Sequence, residues 1–207
     1  MYRLVTEGKF GDALKAADGL LAAAALTVVG SRREADELKE LITIAREYNV
    51  GLRCELERKA AAADAARGAE LAAYFTHARM QPAHVALALR SAMVLHYKLG
   101  NLATAATFCR RLLELNAPQK IAAQARQVLA ACERAPEDAM DLAYDARNPF
   151  DLCAATFVPI YRGSPYVEDP YTGARFVPAC EGQVSPVGGI ARVGADASGL
   201  HCVAERR

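Results

Sequence analysis

Apolar positions recur at spacings of three and four through most of the chain, and the pattern changes character near Pro149. Leu38, Leu41, Ala45, Tyr48, Leu52 and Leu56 fall on one helical stripe. Glu37, Lys39, Glu40, Arg46, Glu47 and Arg53 lie opposite and read as a solvated face with helix-compatible ion pairs. Ser31 is placed to cap this helix, with Glu34 three residues on as its capping-box partner. A second helix is expected from about Arg67 to Met80, and Pro82 then opens another at its first turn. Val85, Leu89, Ala92 or Met93, and His96 carry that stripe on. Ala105, Phe108, Leu112 and Leu115 line the next helix, with Arg110, Arg111 and Glu114 opposite. Ile121, Ala125, Val128, Leu129 and Cys132 line the one after.

A faint internal repeat links the two ends of this region. Glu7-Gly8-Lys9-Phe10 is followed by Ala13 and Ala17, and Leu99-Gly100-Asn101-Leu102 by Ala105, Phe108, Leu112 and finally Pro118. In both, a glycine ends one helix and a small residue five positions later lets the next approach closely, the spacing of a tetratricopeptide-like hairpin. An irregular helical array fits the same pattern, and either would serve as a binding scaffold.

After Pro149 proline and glycine crowd the sequence and alternation becomes strand-like. Ala154–Val158, Pro159–Arg162, Ala174–Val177, Gln183–Val187, Ile190–Val193 and Leu200–Val203 are expected to be extended. Turns are expected at Gly163-Ser164-Pro165 and Asp169–Gly173, and a hairpin through Gly194–Gly199. The expected fold is therefore mostly α with a β-rich C-terminal module. Residues 1–147 form a scaffold of paired antiparallel helices, and residues 148–207 a small β domain that caps an apolar helical face.

Composition narrows the function classes. Alanine richness favours closely packed helices. The 25 Lys and Arg balance 24 Asp and Glu, so no basic excess marks a nucleic-acid surface. The longest apolar run, Gly19–Val29, falls short of the roughly 20 residues needed to span a bilayer. Met1–Phe10 mixes charges and lacks the apolar core of a signal peptide, so the chain reads as cytosolic. Tyr2-Arg3-Leu4-Val5 enters a helical pattern with no capping residue ahead. The start is thus expected to fall inside a longer protein, with Met1 an added residue.

Candidate chemistry is sparse. Cys54, Cys109 and Cys132 sit on or beside apolar stripes and read as reduced core residues. His77 and His84 are separated by Pro82, which works against a shared ligand face, and His96 follows the core stripe. Cys153, Cys180, His201 and Cys202 share the β region, but no Cys-x-x-Cys knuckle occurs among them, and adjacent His201 and Cys202 would face opposite sides of a strand. Arg110-Arg111 and Arg206-Arg207 are too few for a nucleic-acid footprint. No catalytic, cofactor-binding or metal residue is assigned.

A long ordered series of residues carries a family resemblance. It runs Leu41-Ile42-Thr43-Ile44-Ala45-Arg46-Glu47-Tyr48, Ala72-Ala73-Tyr74-Phe75-Thr76-His77, Gln81-Pro82-Ala83-His84, and Thr104–Phe108 with Arg110–Leu115. It continues through Asn148-Pro149-Phe150-Asp151-Leu152-Cys153-Ala154-Ala155 to Pro159-Ile160-Tyr161-Arg162-Gly163. The chain thereby resembles the C-terminal region of the alpha subunit of coatomer, the coat of Golgi-derived vesicles. The resemblance implies a non-enzymatic structural or adaptor role without cofactors in Golgi-to-ER and intra-Golgi transport. It implies docking onto the epsilon subunit, association with the other coatomer subunits, no nucleic-acid partner, and membrane contact only through the assembled coat. A protruding hairpin upstream of this region makes much of the epsilon contact in the family. Relatives carry cysteines where this chain has Asp169, Arg175 and Ser185, a departure that weighs against zinc. A generic tetratricopeptide-like adaptor is the alternative, followed by a zinc-stabilised nucleic-acid module and a thiol enzyme.

Overall fold

The computed structural model describes residues 1–61 and 63–197. Helices α1 (Tyr2–Thr6), α2 (Phe10–Ala25), α3 (Arg32–Ala60), α4 (Ala65–Phe75), α5 (Pro82–Lys98), α6 (Leu102–Glu114) and α7 (Gln119–Cys132) come first. Strands β1 (Phe150–Leu152), β2 (Pro159–Tyr161), β3 (Val167–Glu168) and β4 (Arg175–Phe176) follow, then a 3-10 turn at Pro178–Cys180. This is a helical array with a small β module.

The chain divides into two compact units: residues 1–53 together with the chain from Pro149 on, and Cys54–Asn148. One boundary falls at Pro149, where the sequence changes character, and the other inside α3.

In the first unit, Gly8 at φ +73° turns the chain between α1 and α2, and Ala13 five residues later is fully buried. Ser31 caps α3 by accepting from the Glu34 N–H at 3.2 Å, while the Glu34 carboxylate reaches back to the Gly30 N–H at 2.8 Å, one residue beyond the expected partner. Strands β1 and β2 pair antiparallel, as do β3 and β4. One core holds Leu21 and Ala24 of α2, Ile42 and Ala45 of α3, and Cys153, Ile160, Phe176 and Val187 of the β module. The module therefore covers an apolar face of α2 and α3. Gly188 lies so close to α2 that a Cβ there would stand 3.2 Å from Leu21.

Several details of this unit differ from the sequence reading. Leu41 is exposed and Ile42 faces the core in its place. Arg46, Glu47 and Arg53 are half-buried rather than solvated. Arg46 Nη1 donates to the Thr172 and Gly173 carbonyls at 3.0 and 3.1 Å, and Arg53 Nη1 to the Ala154 carbonyl at 2.8 Å. Ala154–Val158 is a turn closing the β1–β2 hairpin, not a strand, and Phe157 takes φ +53° within it. Gln183–Val187 and Ile190–Val193 meet only through an isolated bridge, Val184 to Arg192. Pro186 has no N–H to donate, and Gly188 and Gly189 both take positive φ, so the chain turns where a strand was expected. Leu200–Val203 and the far end of the Gly194–Gly199 hairpin lie outside the described residues.

In the second unit α4, α5, α6 and α7 pack each against the next, joined by short connections as hairpins. Asp64 caps α4 by accepting from the Arg67 N–H at 2.9 Å. The helix ends at Phe75, short of the expected Met80, because the Thr76 hydroxyl donates back to the Ala73 carbonyl at 2.7 Å. Gln81 is extended ahead of proline, and Pro82 opens α5 as the sequence indicates. Gly100 at φ +79° turns the chain into α6, and Ala105 is fully buried, repeating the Gly8–Ala13 geometry. Phe108, Leu112, Leu89, Met93 and Ala125 form the core, whereas Leu115 lies beyond the end of α6 and is exposed.

Candidate interaction surface

The described cysteines are all buried among packing residues. Cys54, Cys109, Cys132, Cys153 and Cys180 are free and buried, and Cys202 lies outside the described residues, as do His201, Arg206 and Arg207. Burial raises the Cys54 thiol far above its ordinary range. Burial, helped by neighbouring Cys132, pushes Cys109 up to about 12. Cys132 is raised by burial and by Asp138. Cys153 and Cys180 meet, with a hydrogen bond between their thiols. Burial opposes the Cys153 thiolate, but the Thr156 hydroxyl and the N–H groups of Thr156, Val177 and Ala155 outweigh it and lower the pKa. Cys180 is raised by burial and by Cys153. Cys153 is nonetheless fully covered, so its thiolate character meets no substrate.

No group of three or more metal-ligating side chains comes together among the described residues. Asp169, Arg175 and Ser185 each serve a polar contact. Asp169 accepts from the Tyr171 and Thr172 N–H groups at 2.8 and 3.2 Å, and Ser185 Oγ from the Val187 N–H at 3.2 Å. Arg175 pairs with Asp151 and with Glu168 and lies 4.4 Å over the Tyr166 ring.

The three described histidines likewise make contacts within the fold. His96 is fully buried, and its Nε2 contacts the Ala69 carbonyl at 3.0 Å. His84 is buried in the first turn of α5. His77 shares a hydrogen bond of 2.9 Å with the Tyr144 hydroxyl. Arg110 is exposed and pairs with Glu133 at 3.2 Å, in keeping with a solvated side chain. Arg111 is not solvated: it turns inward and donates to the Thr76 hydroxyl and carbonyl, both at 2.8 Å, fixing the end of α4.

What the surface does offer is apolar. In the loop between α2 and α3, Leu26 and Val28 are 84% and 91% exposed. These are the largest exposures of any large hydrophobic side chain among the described residues. A loop carrying two such side chains marks a place where another surface docks more readily than one where a substrate reacts. The signal was present in the sequence: the alanine run ends at Ala25 and the Ser31 cap restarts the helix, which strands Leu26–Val29 between them. Sequence reasoning absorbs those residues into the Gly19–Val29 run and passes over them. Among the described residues no helix is long and apolar enough to cross a membrane.

Comparison with known proteins gives one consistent answer. The family model for the C-terminus of the coatomer (COPI) alpha subunit matches residues 1–207. Coatomer subunit alpha-3 of Oryza sativa subsp. japonica is 53% identical over 97% of this chain and 16% of its own length. Coatomer subunit alpha-1 of Arabidopsis thaliana is 51% identical over 97% of this chain and 16% of its own length. Coatomer subunit alpha of Dictyostelium discoideum is 42% identical over 98% of this chain and 17% of its own length. The chain thus spans about a sixth of the relatives it matches.

Proposed function

The chain belongs to the coatomer alpha C-terminal family, and on that premise we propose that it is a structural docking region of the vesicle coat, held by the epsilon subunit. In this reading it acts without catalysis or cofactor in Golgi-to-ER and intra-Golgi transport. It resides in the cytoplasm and reaches Golgi membranes and coated vesicles only through the assembled coat. It touches other coat subunits and no nucleic acid. The observation that carries the reading is the family match along the whole chain, joined to the exposure of two apolar side chains, Leu26 and Val28, in the α2–α3 loop. The repeated hairpin geometry at Gly8 and Gly100 also suits a generic tetratricopeptide-like adaptor, which differs in the partners it would hold.

The α2–α3 loop is the proposed point of epsilon contact. Replacing Leu26→Asp together with Val28→Asp in the full-length protein puts charge where an apolar contact is expected. Recovery of the epsilon subunit should fall by about tenfold or more, a loss of roughly 1.4 kcal/mol, with other coat subunits retained. The melting temperature should not move, because neither side chain is buried in the fold. Unchanged epsilon recovery would place the dock elsewhere.

A further inference from the structure

Residues 133–148 form neither helix nor strand, and their central part runs along α4, α5 and α6 of the second unit like a bound peptide. The Glu137 carbonyl accepts from the Leu102 N–H at 2.9 Å. The Asp138 carboxylate accepts from the Thr104 N–H at 3.0 Å and from its hydroxyl at 2.6 Å, which places a negative charge on the N-terminus of α6. The Met140 N–H donates to Asn101 Oδ1, and the Ala143 N–H to the Glu70 carboxylate, both at 2.9 Å. The Tyr74 hydroxyl donates to the Ala143 carbonyl at 2.5 Å. Tyr144 then packs against Tyr74, His77 and Phe108. Backbone groups held by side chains, with one aromatic anchor, are the signature of recognition of an extended segment.

Two features set this strap apart from an ordinary connection. It lies open to solvent: among 137–144 only Met140, Leu142 and Tyr144 are even half-buried. The residue that grips it, Asn101, is fully buried, yet its Nδ2 has no hydrogen-bond partner. Asn101 also stands at the N-cap of α6, the position where asparagine normally turns its side chain to its own helix, and here it makes no cap bond. Without the strap, that side chain is free to rotate and cap α6, which offsets part of what opening loses. A segment that offered Nδ2 a carbonyl would satisfy Asn101 better than the strap does.

We propose that the α4–α6 face is a binding site for an extended acidic peptide with an aspartate six residues before a tyrosine, and that residues 137–144 fill it in cis as an exchangeable strap. Acidity is part of the specificity: Glu137, Asp138 and Asp141 belong to this stretch, Asp145 follows it directly, and the α6 N-terminus receives one of them. The inference concerns the second unit alone and does not depend on the epsilon subunit.

A fluorescent peptide with the sequence of residues 136–146 is the probe, followed by anisotropy against the 207-residue protein and against a variant whose residues 137–145 are a Gly/Ser linker of equal length. The linker variant should bind saturably, and at least about tenfold more tightly than the unaltered protein, whose groove is already filled. Adding Asn101→Ala should weaken binding about fivefold, the share of one hydrogen bond. A linker variant that keeps its cooperative melt but does not bind, or equal binding by the unaltered protein, overturns the proposal. Should the linker variant fail to fold, hydrogen exchange of the unaltered protein decides. The Met140 and Ala143 amides should exchange at least about a hundredfold faster than those of Leu89 and Phe108. Equal protection rejects an exchangeable strap.

Discussion

His77 stands just past the end of α4, beside the Tyr144 hydroxyl at 2.9 Å and Arg111 Nη1 at 3.4 Å. Surrounding protein disfavours the charged ring, and the Arg111 guanidinium disfavours it further, so the pKa falls from 6.5 to about 4. Between those values the unfolded chain binds a proton that the folded chain does not. Stability therefore declines as pH drops from 6.5 towards 4, and this group adds no further slope below 4, where both states are protonated. An NMR titration should show the His77 ring titrating near 4, and a midpoint near 6.5 would mean that in solution the ring is neither covered by the protein nor beside Arg111. The same residue shows a limit of sequence reading. That His77, Arg111 and Thr76 are structural partners depends on residues 34 and 35 positions apart, which no local spacing encodes. Arg46 and Arg53 read as solvated for the same reason: their carbonyl partners lie 126, 127 and 101 positions away.

At the scale of elements, helices were legible and strands much less so. Ser31 and Pro82 act within a few residues and mark the starts of α3 and α5 as their chemistry requires. The strands are two or three residues long, too short for alternation to separate them from the turns between them. Ala154–Val158 reads as extended by composition but turns, because the Phe157 N–H closes onto the Cys153 carbonyl at 3.0 Å. The packing of these short strands on α2 and α3 gives the β module its structural role. Ending the chain before Asn148 removes the cover from Leu21, Ala24, Ile42 and Ala45. The truncated protein should aggregate on size-exclusion chromatography. A monodisperse, fully helical truncation would show that this face needs no cover.

For the whole molecule, the family was legible and the proposed docking surfaces were not. The ordered series from Leu41 to Gly163 points to the C-terminal region of coatomer alpha, and the match over residues 1–207 agrees. A scaffold leaves no catalytic spacing to read, so Leu26, Val28 and the strap stand out only when exposure and hydrogen bonding are known. Of the two boundaries between the compact units, the one at Pro149 coincides with the change in sequence character, whereas the one inside α3 depends on contacts distant in sequence. The central claim, that this chain is part of a coat rather than a free-standing adaptor, is tested most directly by purifying the tagged full-length protein from its own cells. Its stable partners would then be identified and quantified by mass spectrometry. The account predicts a stoichiometric set of coatomer subunits with epsilon among them. Recovery of other stable partners, or of nucleic acid, without coat subunits would contradict it.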